Sequence, residues 1–455
     1  MRSIIWAVGR ALLVGLAAAL PAPHPAPAPS PTASFSFNPI AGLTKGIEDQ
    51  IASIASQLAS TQPTKTPDSI PDAVSTLQDI FGPKPTGIIT IGLKFLTSGL
   101  QVDGLDGTTL DSPPVPGNIN SFNNTNPAPP TAVFPQANPA DPPFTKSEDE
   151  LRSAIFIPDT FQGMGNDTVK PILLVPGTGT FGGVTYQGNM IKILQENPSI
   201  GQAVWLNVPG AMLDDVQTNA EFIAYAMNYI ASLTGTQVSV VGWSQGNLAA
   251  QWALKYWTSA RTSTKQLVAF SPDFRGTIIA DAFDLPLLDA IPVPPAVLQQ
   301  QSTSNLIRTL RATGEGGDSA FVPTTTLYSA VFDEVVQPQE GTIASAFLRD
   351  DRGAGVSNNE IQSVCPGTPA GDFATHESML FNGLATALAL DALQSGGVAD
   401  PGRLDLAAVC AELAHPALDV ADVAETEGTI PLAALNALEF RPGVTAEPAI
   451  RAYAL

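Results

Sequence analysis

Short apolar runs alternate with amphipathic segments through much of the chain, and this pattern predicts a sheet flanked by helices. Each run has the length of one buried strand, and the runs occupy residues 171–175, 203–208, 238–243, 266–270 and 324–330. Segments with helical spacing of apolar residues lie near 216–233 and 246–257. Because strands that alternate with helices pair in parallel and are covered on both faces, we predict an α/β fold.

The first residues of the chain have a different pattern. Arg2 precedes an apolar run from 4 to 20, which ends in small residues, and this is the order of a secretory signal peptide. The uninterrupted apolar stretch is too short for the alternative, a membrane anchor that spans a bilayer. We therefore expect a secreted, extracellular protein.

A long extension separates the signal peptide from the predicted sheet. It contains a proline–alanine spacer at 21–31, helical periodicity between 35 and 100, and a Pro-, Asn-, Thr- and Gly-rich stretch at 104–143 that predicts a surface linker. The extension is a propeptide, a cap over the substrate site or a packing layer, and the lack of any adjacent basic pair for its removal favours retention. The predicted domains are a signal peptide (1–20), a largely helical extension (21–145) and a catalytic domain (146–455).

A serine lies at a predicted sharp turn between a strand and a helix. Ser244 directly follows the apolar run 238–243, and small and apolar residues follow it. Gly242 and Gly246 complete a G-x-S-x-G pattern, in which glycine avoids a clash between a strand and a helix that pass closely. Because such a turn lifts the hydroxyl clear of the sheet, we predict that Ser244 is a catalytic nucleophile.

A serine nucleophile needs a general base, and the chain has only three histidines. In this fold the order along the chain is serine, acid, histidine, which excludes His24. His376 follows a small-residue loop and opens an apolar, helix-like run, whereas His415 lies in an Ala-His-Pro sequence that is typical of a loop. We favour His376 as the base, with His415 as the alternative.

A carboxylate should orient the base from the end of a late strand. The β-rich run 324–332 meets Asp333 and Glu334, and the shorter Asp333 is favoured because neighbours hold it rigid more easily. Asp273 also follows a predicted strand, at 267–270, and is the rival acid. Its earlier position in the sheet favours a role in the substrate pocket.

Attack on a carbonyl group places negative charge on its oxygen, which N–H donors must stabilise. One donor is the backbone amide of Gln245, the residue after the nucleophile. The second is expected in the loop after the strand 171–175, where Thr178 lies between two glycines. This loop lacks the Gly-Lys-Ser/Thr ending of a phosphate-binding loop and the third glycine of a dinucleotide-binding motif.

Composition limits the partners. The formal net charge of −21 argues against nucleic acid and anionic lipid surfaces. Asn123 and Asn166 each begin an N-x-Thr sequence and are glycosylation acceptors in a secreted protein. We expect a monomer without metal or cofactor, acting on a lipid or ester small molecule, with a lipid–water interface as a candidate setting.

Several motifs resemble those of the Candida antarctica lipase B family of fungal lipases. The similar stretches are residues 170–180, 243–246 with 250–252, 269–273, 322–330 and 333–339. They occur in the family's order with similar spacing, and the resemblance covers about residues 146 to 455. It implies an α/β-hydrolase fold and a carboxylic ester hydrolase that acts on acylglycerols and simpler esters.

The resemblance also implies a role for each candidate residue. By position, Ser244, Asp333 and His376 match the family's triad. Thr178 and Gln245 match its oxyanion donors, and Thr178 is implied to give its hydroxyl as well as its amide.

The substrate pocket follows from the same resemblance. Trp243 is implied to floor the alcohol side, and Asp273 and Gln300 to edge the acyl side. A Leu-, Pro- and Ala-rich insertion at 277–301 is either an ordinary surface helix or a lid, and the resemblance favours the lid.

This chain departs from the family pattern at three places in the site. Around His376 it has Ala-Thr-His-Glu where the family has Asp-His-Ala-Gly. Gly242 stands where the family has threonine, and Asn247 stands where it has glycine. The first change alters the immediate surroundings of the base, whereas the other two leave the chemistry unchanged.

The two cysteines, Cys365 and Cys410, are predicted to form one disulfide. A secreted chain with two cysteines allows a single intramolecular bridge, which an oxidising compartment favours. The resemblance points the same way, because one family bridge brackets the catalytic histidine and these cysteines lie on either side of His376.

These observations predict a secreted serine ester hydrolase, most consistent with a triacylglycerol lipase or carboxylesterase that forms an acyl-enzyme on Ser244. Within enzymes, the alternative is a polyester-type or acyl-transferring esterase, because an alcohol can replace water as the acyl acceptor. A different class is a non-catalytic lipid-binding surface protein, which a replaced triad position would favour. No triad position is replaced.

Overall fold

Seven strands form one sheet in the computed structural model. They are β1 Ile155–Phe156, β2 Pro171–Val175, β3 Gln202–Leu206, β4 Val238–Trp243, β5 Thr264–Phe270, β6 Thr324–Tyr328 and β7 Val356–Glu360. Their order across the sheet is β1-β3-β2-β4-β5-β6-β7, with β1 antiparallel to its neighbour and every other pair parallel. The predicted α/β-hydrolase fold with a mostly parallel sheet is confirmed.

The structure describes most of the chain from residue 53 onwards. The described residues are 53, 56–58, 60–81, 88–101, 108–110, 115, 117–278, 292–312, 318–330 and 332–455, with the backbone alone at 88–91. The predicted signal peptide, the proline–alanine spacer and the centre of the predicted lid lie outside these residues. So do most of the predicted helical residues before 60.

Helices lie before, between and after the strands. They are α1 Ile70–Phe81, α2 Ile88–Thr97, α3 Glu148–Ser153, α4 Gly182–Tyr186, α5 Met190–Glu196, α6 Val216–Thr234, α7 Gln245–Tyr256, α8 Thr258–Ser263, α9 Pro295–Gln299, α10 Asn305–Arg311, α11 Ile361–Val364, α12 Gly383–Ser395, α13 Leu406–Val409, α14 Val420–Glu427 and α15 Thr429–Glu439. The long α6 begins at an Asp215 cap, whose side chain accepts from the Gln217 amide at 3.0 Å, and ends at Gly235 in the left-handed conformation.

Alternate side chains of the central strands pack into two separate layers. In β2, Leu173 and Val175 lie in a hydrophobic cluster with residues of α6 and α7. Ile172 and Leu174 lie in a second cluster with residues of α5 and α12. This two-residue period explains why the central strands are continuous apolar runs, since both faces of the sheet are buried.

The parallel register brings the carboxyl ends of the strands to one edge. Val175 at the end of β2 pairs with Gly242 in β4, and Trp243 at the end of β4 pairs with Phe270 at the end of β5. The loops that follow these strands therefore emerge side by side. This edge is where ligands bind in open parallel sheets, and it carries the predicted site residues.

The part of the predicted linker that is described, 117–143, contains no helix or strand, yet it is fixed to the sheet by buried hydrogen bonds. The Ile119 carbonyl accepts from the Trp205 indole at 2.7 Å, and the Asn120 side chain accepts from the Val184 amide at 2.7 Å. Asn207 donates to the Ser121 carbonyl at 2.8 Å. These bonds make the segment an ordered covering of the sheet edge.

The extension contributes α1 and α2 to the second hydrophobic cluster, which covers the face of the sheet that packs against α5 and α12. Leu77 of α1, Phe95 of α2 and Leu100 are fully buried in the same hydrophobic cluster as Val241 of β4. Within the described part of the chain, no helix is long and apolar enough to cross a membrane.

Candidate active site

Ser244 lies in the tight turn between β4 and α7, with backbone angles of φ 53° and ψ −133°. A positive φ is costly for a residue with a Cβ atom, so the surrounding structure must hold it. The Ser244 amide donates to the Phe270 carbonyl of β5 at 3.1 Å. At Gly246, an added Cβ would lie 2.5 Å from the Pro176 carbonyl oxygen, which explains the second glycine of the motif. This geometry is that of a nucleophile elbow.

Two departures from the family pattern compensate each other at this turn. Asn247 donates to the Ser244 carbonyl at 3.2 Å and to the Phe270 carbonyl at 3.0 Å. A Cβ on Gly242 would lie 2.3 Å from Asn247 Oδ1, so a larger residue at 242 would displace this side chain. The asparagine therefore requires the glycine, and together they tie the elbow to β5.

The base and its acid meet at the ends of neighbouring loops. His376 Nδ1 lies 3.0 Å from Asp333 Oδ2 and 3.1 Å from Asp333 Oδ1, and both side chains are almost fully buried. The Asp333 carboxylate is held in turn by the amides of Val335 at 3.0 Å and Val336 at 2.7 Å. The structure thus brings together the favoured base and the favoured acid.

The backbone of His376 is fixed on both sides. Its N–H donates to Glu334 Oε2 at 3.0 Å. Its carbonyl accepts from the Ser271 hydroxyl at 2.8 Å and from the Trp243 indole at 3.3 Å, and the Trp243 and His376 rings lie 5.2 Å apart. Because Trp243 precedes the nucleophile, these contacts join the base to the elbow.

The other ring nitrogen of His376 is free. Nε2 is buried and accepts or donates no hydrogen bond among the described residues, Ser244 included. Catalytic hydrogen bonds are often long without substrate and shorten in the reacting complex. Burial lowers the pKa of His376, but the negative charge of Asp333, with smaller effects from Glu334 and Asp273, outweighs it and raises that pKa above its usual value.

The loop after β2 passes directly over the nucleophile. A Cβ on Gly177 would lie 2.9 Å from the Ser244 Cβ, so only glycine permits this approach. In the part of the chain that is described, neither the Thr178 amide nor the Gln245 amide donates to another protein group. Two free amides beside a serine hydroxyl are the donors that a developing oxyanion requires.

The hydroxyl of Thr178 is already engaged. It donates to Gln300 Oε1 at 3.1 Å and accepts from the Gln245 side-chain amide at 3.0 Å. Asn219 fixes the orientation of Gln245 by donating to its side-chain oxygen at 3.1 Å. The hydroxyl would have to leave Gln300 before it could donate to an oxyanion.

Asp273 lies behind the site as an isolated acid. It is fully buried, and neither carboxyl oxygen accepts a hydrogen bond from any other residue that the structure describes. Burial raises its pKa to about 7. It does not contact His376 by a hydrogen bond, whereas Asp333 does, so the geometry separates the two candidate acids. Gln300 accepts from the Thr178 hydroxyl at 3.1 Å, and its place at the acyl side of the pocket stays a prediction.

The alternative histidine makes no hydrogen bond to Ser244 or Asp333 among the described residues. His415 accepts from the Ala417 amide at 3.2 Å, and its own amide donates to the Phe381 carbonyl at 2.8 Å. Burial lowers its pKa. The predicted disulfide is confirmed: Cys365 and Cys410 are bonded, with their Cα atoms 5.5 Å apart, and the bridge closes the loop that contains His376.

Sequence reasoning missed three residues around the base, Ser271, Glu377 and Glu427, and it missed a second role of Trp243, which it placed only at the floor of the pocket. Ser271 and Trp243 hold the His376 carbonyl, and Glu377 and Glu427 are buried carboxyls behind it. The one sequence signal for them was Glu377, a large acid where the family pattern has a small residue. Among the described residues, no cluster of three or more His, Cys, Asp or Glu side chains is arranged to hold a metal ion.

Comparison with known proteins adds the family. No protein-family model matches the chain. Lipase B of Pseudozyma antarctica is 37% identical over 231 residues, which is 50% of this chain and 62% of that protein, so the match spans less than two thirds of the relative. The crystal structure of Aspergillus fumigatus lipase B is 39% identical, with a TM-score of 0.79, and the match covers 91% of this chain and 100% of that one. The chain belongs to the lipase B family of carboxylic ester hydrolases.

Proposed function

We propose that the protein hydrolyses carboxylic esters through an acyl-enzyme on Ser244, with His376 as base and Asp333 as its orienting acid. The observation that carries this proposal is the buried His376–Asp333 pair, at 3.0 Å, next to a serine in a strained elbow. Strain of this kind persists where the surrounding structure holds it for a function.

The geometry supports a two-stage reaction. His376 Nε2 takes the proton of Ser244 as the serine oxygen bonds to the ester carbonyl, and the amides of Thr178 and Gln245 stabilise the negative charge on the carbonyl oxygen. His376 then gives this proton to the leaving alcohol as the ester bond breaks. Water, activated by His376 in the same way, attacks the acyl-enzyme and releases the acid.

The substrate class is proposed from the family. Lipase is the name of both relatives, and triacylglycerols are the natural substrates of that class. An acyl-transferring esterase would use the same acyl-enzyme with an alcohol as acceptor. A lipid-binding protein without activity is disfavoured because Ser244, Asp333 and His376 are all in place.

Secretion, with occupancy of the glycosylation site at Asn123, belongs to the same proposal. The disulfide supports an oxidising compartment, and Asn123 is exposed. We also propose that the extension stays attached from residue 60 onwards. Removal of the extension would expose the apolar side chains of the second hydrophobic cluster that α1 and α2 cover.

Ser244→Ala tests the proposal. Loss of a triad member removes about four or more orders of magnitude in rate, so ester hydrolysis should be abolished while thermal unfolding stays unchanged. An organophosphonate should label Ser244 in the wild type, as read by peptide mass. The matched control is Ser363→Ala on the exposed face of α11, which should keep full activity. A label on another serine would refute the assignment.

A graded set of substrates separates the subclasses. Hydrolysis of emulsified long-chain triacylglycerols indicates a lipase, and activity limited to short p-nitrophenyl esters indicates an esterase. A higher yield of ester than of acid when alcohol is added indicates acyl transfer. Lipid binding without any turnover would support the non-catalytic alternative.

A further inference from the structure

Three glutamates from separate parts of the chain meet behind His376. Glu334 follows the orienting acid, Glu377 follows the base, and Glu427 is the last residue of α14. Glu377 and Glu427 are fully buried, and Glu334 is partly buried with its Oε1 oxygen shielded from solvent. Their carboxyl groups form a row centred on Glu377, which interacts electrostatically with both of the others, and four of the six carboxyl oxygens are buried without a donor among the described residues.

The ends of this row are anchored differently. Glu334 accepts the backbone N–H of His376 at 3.0 Å. Glu427 accepts the hydroxyl of Ser378 at 2.9 Å, and it also interacts with the hydroxyl of Thr375. Glu377 receives no donor from any other protein group in the described chain.

The lack of any other donor to these four buried oxygens sets the number of protons. A bond between two carboxyl groups requires a proton on one of them, because two carboxylates repel. Two such bonds in a row of three carboxyls require two protons, and they leave one negative charge. The donors at Ser378 and Thr375 favour that charge on Glu427, which places a proton on Glu377.

The electrostatic setting agrees with this assignment. Burial, together with the neighbouring charge of Glu427, raises the pKa of Glu377 well above its usual value. Burial also raises the pKa of Glu427, to about 7. No lysine or arginine among the described residues forms an ion pair with any of the three glutamates.

Other ionisable groups surround the row on every side. On the catalytic side lie Asp273, Asp333 and His376, which interact electrostatically with Glu334 or with each other. The elements adjoining α14 carry Asp72, Asp79, Lys192 and Glu439. Lys192 is paired with acids at the start of α14, and Asp72 is paired with Lys65, so neither cation neutralises the row.

We propose that Glu377 is a positioning residue for the catalytic base, acting as a protonated bridge between Glu334 and Glu427 that holds the backbone of His376. This inference rests on the proposed function, since it assigns His376 as the base. Glu334 alone could rotate away from the His376 N–H. The bridge ties it through Glu427 to α14, so the imidazole keeps its place between Asp333 and the nucleophile.

Substitution of Glu377 tests the bridge. Glutamine has the shape of a protonated glutamate and offers one donor and one acceptor, so Glu377→Gln should preserve the row in either orientation. Glu377→Ala removes both bonds and should lower kcat by about 10- to 100-fold, because small misplacements of a catalytic group cost this much. KM should change little, and kcat of the Gln variant should exceed that of the Ala variant at least about tenfold. Glu377→Asp is too short to reach both partners and serves if the Ala variant fails to fold.

An infrared measurement with a control variant separates this inference from the proposed function. The infrared carbonyl band of a protonated carboxyl should be present at pH 8 in the wild type and weaker in Glu377→Gln. Glu412→Gln, on an exposed acid, is the matched control and should change neither band nor kcat.

The outcomes are distinct. A wild type that neither hydrolyses esters nor reacts with an organophosphonate would overturn the proposed function, and this inference with it, even if the band is present. An active wild type whose Gln and Ala variants have equal kcat, or one without the band, would overturn the inference alone.

Discussion

The two halves of the active site are held by different means. The nucleophile half depends on the backbone: Ser244 lies in a turn set by β4, α7 and close-approaching glycines. The base half depends on side chains: His376 lies in an irregular loop before α12, and its position is set by hydrogen bonds to Asp333 and Glu334 and from Ser271. Backbone geometry is encoded by neighbours in sequence, whereas the base is held by residues far away in the chain.

The difference affects how each half tolerates change. Backbone hydrogen bonds hold the elbow, from the Ser244 amide to the Phe270 carbonyl and from the Asn247 amide to the Ser244 carbonyl, so its geometry should survive most side-chain changes beyond the glycines. The loop of the base has few backbone partners, and single side chains hold it. We therefore expect substitutions in the base half to misplace a catalytic group, and substitutions near the elbow to remove one interaction at a time.

The largest effect tests the base itself. His376→Ala should lower kcat/KM by about four orders of magnitude or more, the same loss as Ser244→Ala, because triad residues act as a unit. His415→Ala is the matched control and should keep most activity, since His415 only caps a turn. If the His415 variant were the inactive one, the base half described here would be the wrong one.

Most of the fold could be predicted from the sequence, because the central strands β2 and β4 are buried on both faces and are mostly apolar, and β6 is rich in residues that favour strands. β7 could not, because its sequence Val-Ser-Asn-Asn-Glu is polar. The strand forms because its side chains bond to β6: Thr326 donates to Asn358 at 3.0 Å, and Asn359 donates to the Thr326 carbonyl at 3.2 Å. Such pairing depends on the partner strand and leaves no local pattern.

The same distinction applies to the site. Ser244 and Thr178 were predicted from motifs of a few adjacent residues, in which glycines report the close approach of the backbone. Asp333 and His376 needed the order along the chain and a choice between alternatives. The row behind the base joins residues 334, 377 and 427, and no local pattern reports that three acids so far apart will share protons.

An intermediate effect tests the buried acids through stability. Burial raises the pKa of Glu427 from its usual 4.5 to about 7. Between these values the folded state keeps a proton that the unfolded state loses. The resulting stabilisation is fully present below pH 4.5 and is lost as the pH rises through 7, a difference of about 3 kcal/mol for this group.

Urea unfolding at pH 5 and pH 8 measures this difference. The free energy of unfolding should be lower at pH 8, and Asp273, whose pKa burial also raises to about 7, should add to the slope. Glu427→Gln should reduce the slope, and the exposed Glu412→Gln should leave it unchanged. A wild type that is equally stable or more stable at pH 8 would contradict this account of the base half.

The smallest effect belongs to the nucleophile half. Thr178→Val removes the hydroxyl and keeps the shape and the backbone amide of the loop after β2. Loss of one oxyanion donor costs two to three orders of magnitude at most. Because the Thr178 hydroxyl already donates to Gln300 at 3.1 Å, part of its contribution to the oxyanion is offset by breaking that bond. We therefore expect kcat to fall by about 100-fold, with KM nearly unchanged.

Thr262→Val, on the exposed end of α8, is the matched control and should leave kcat intact. An unchanged kcat in Thr178→Val would mean that the two backbone amides alone stabilise the oxyanion, which would make the nucleophile half independent of side chains apart from Ser244.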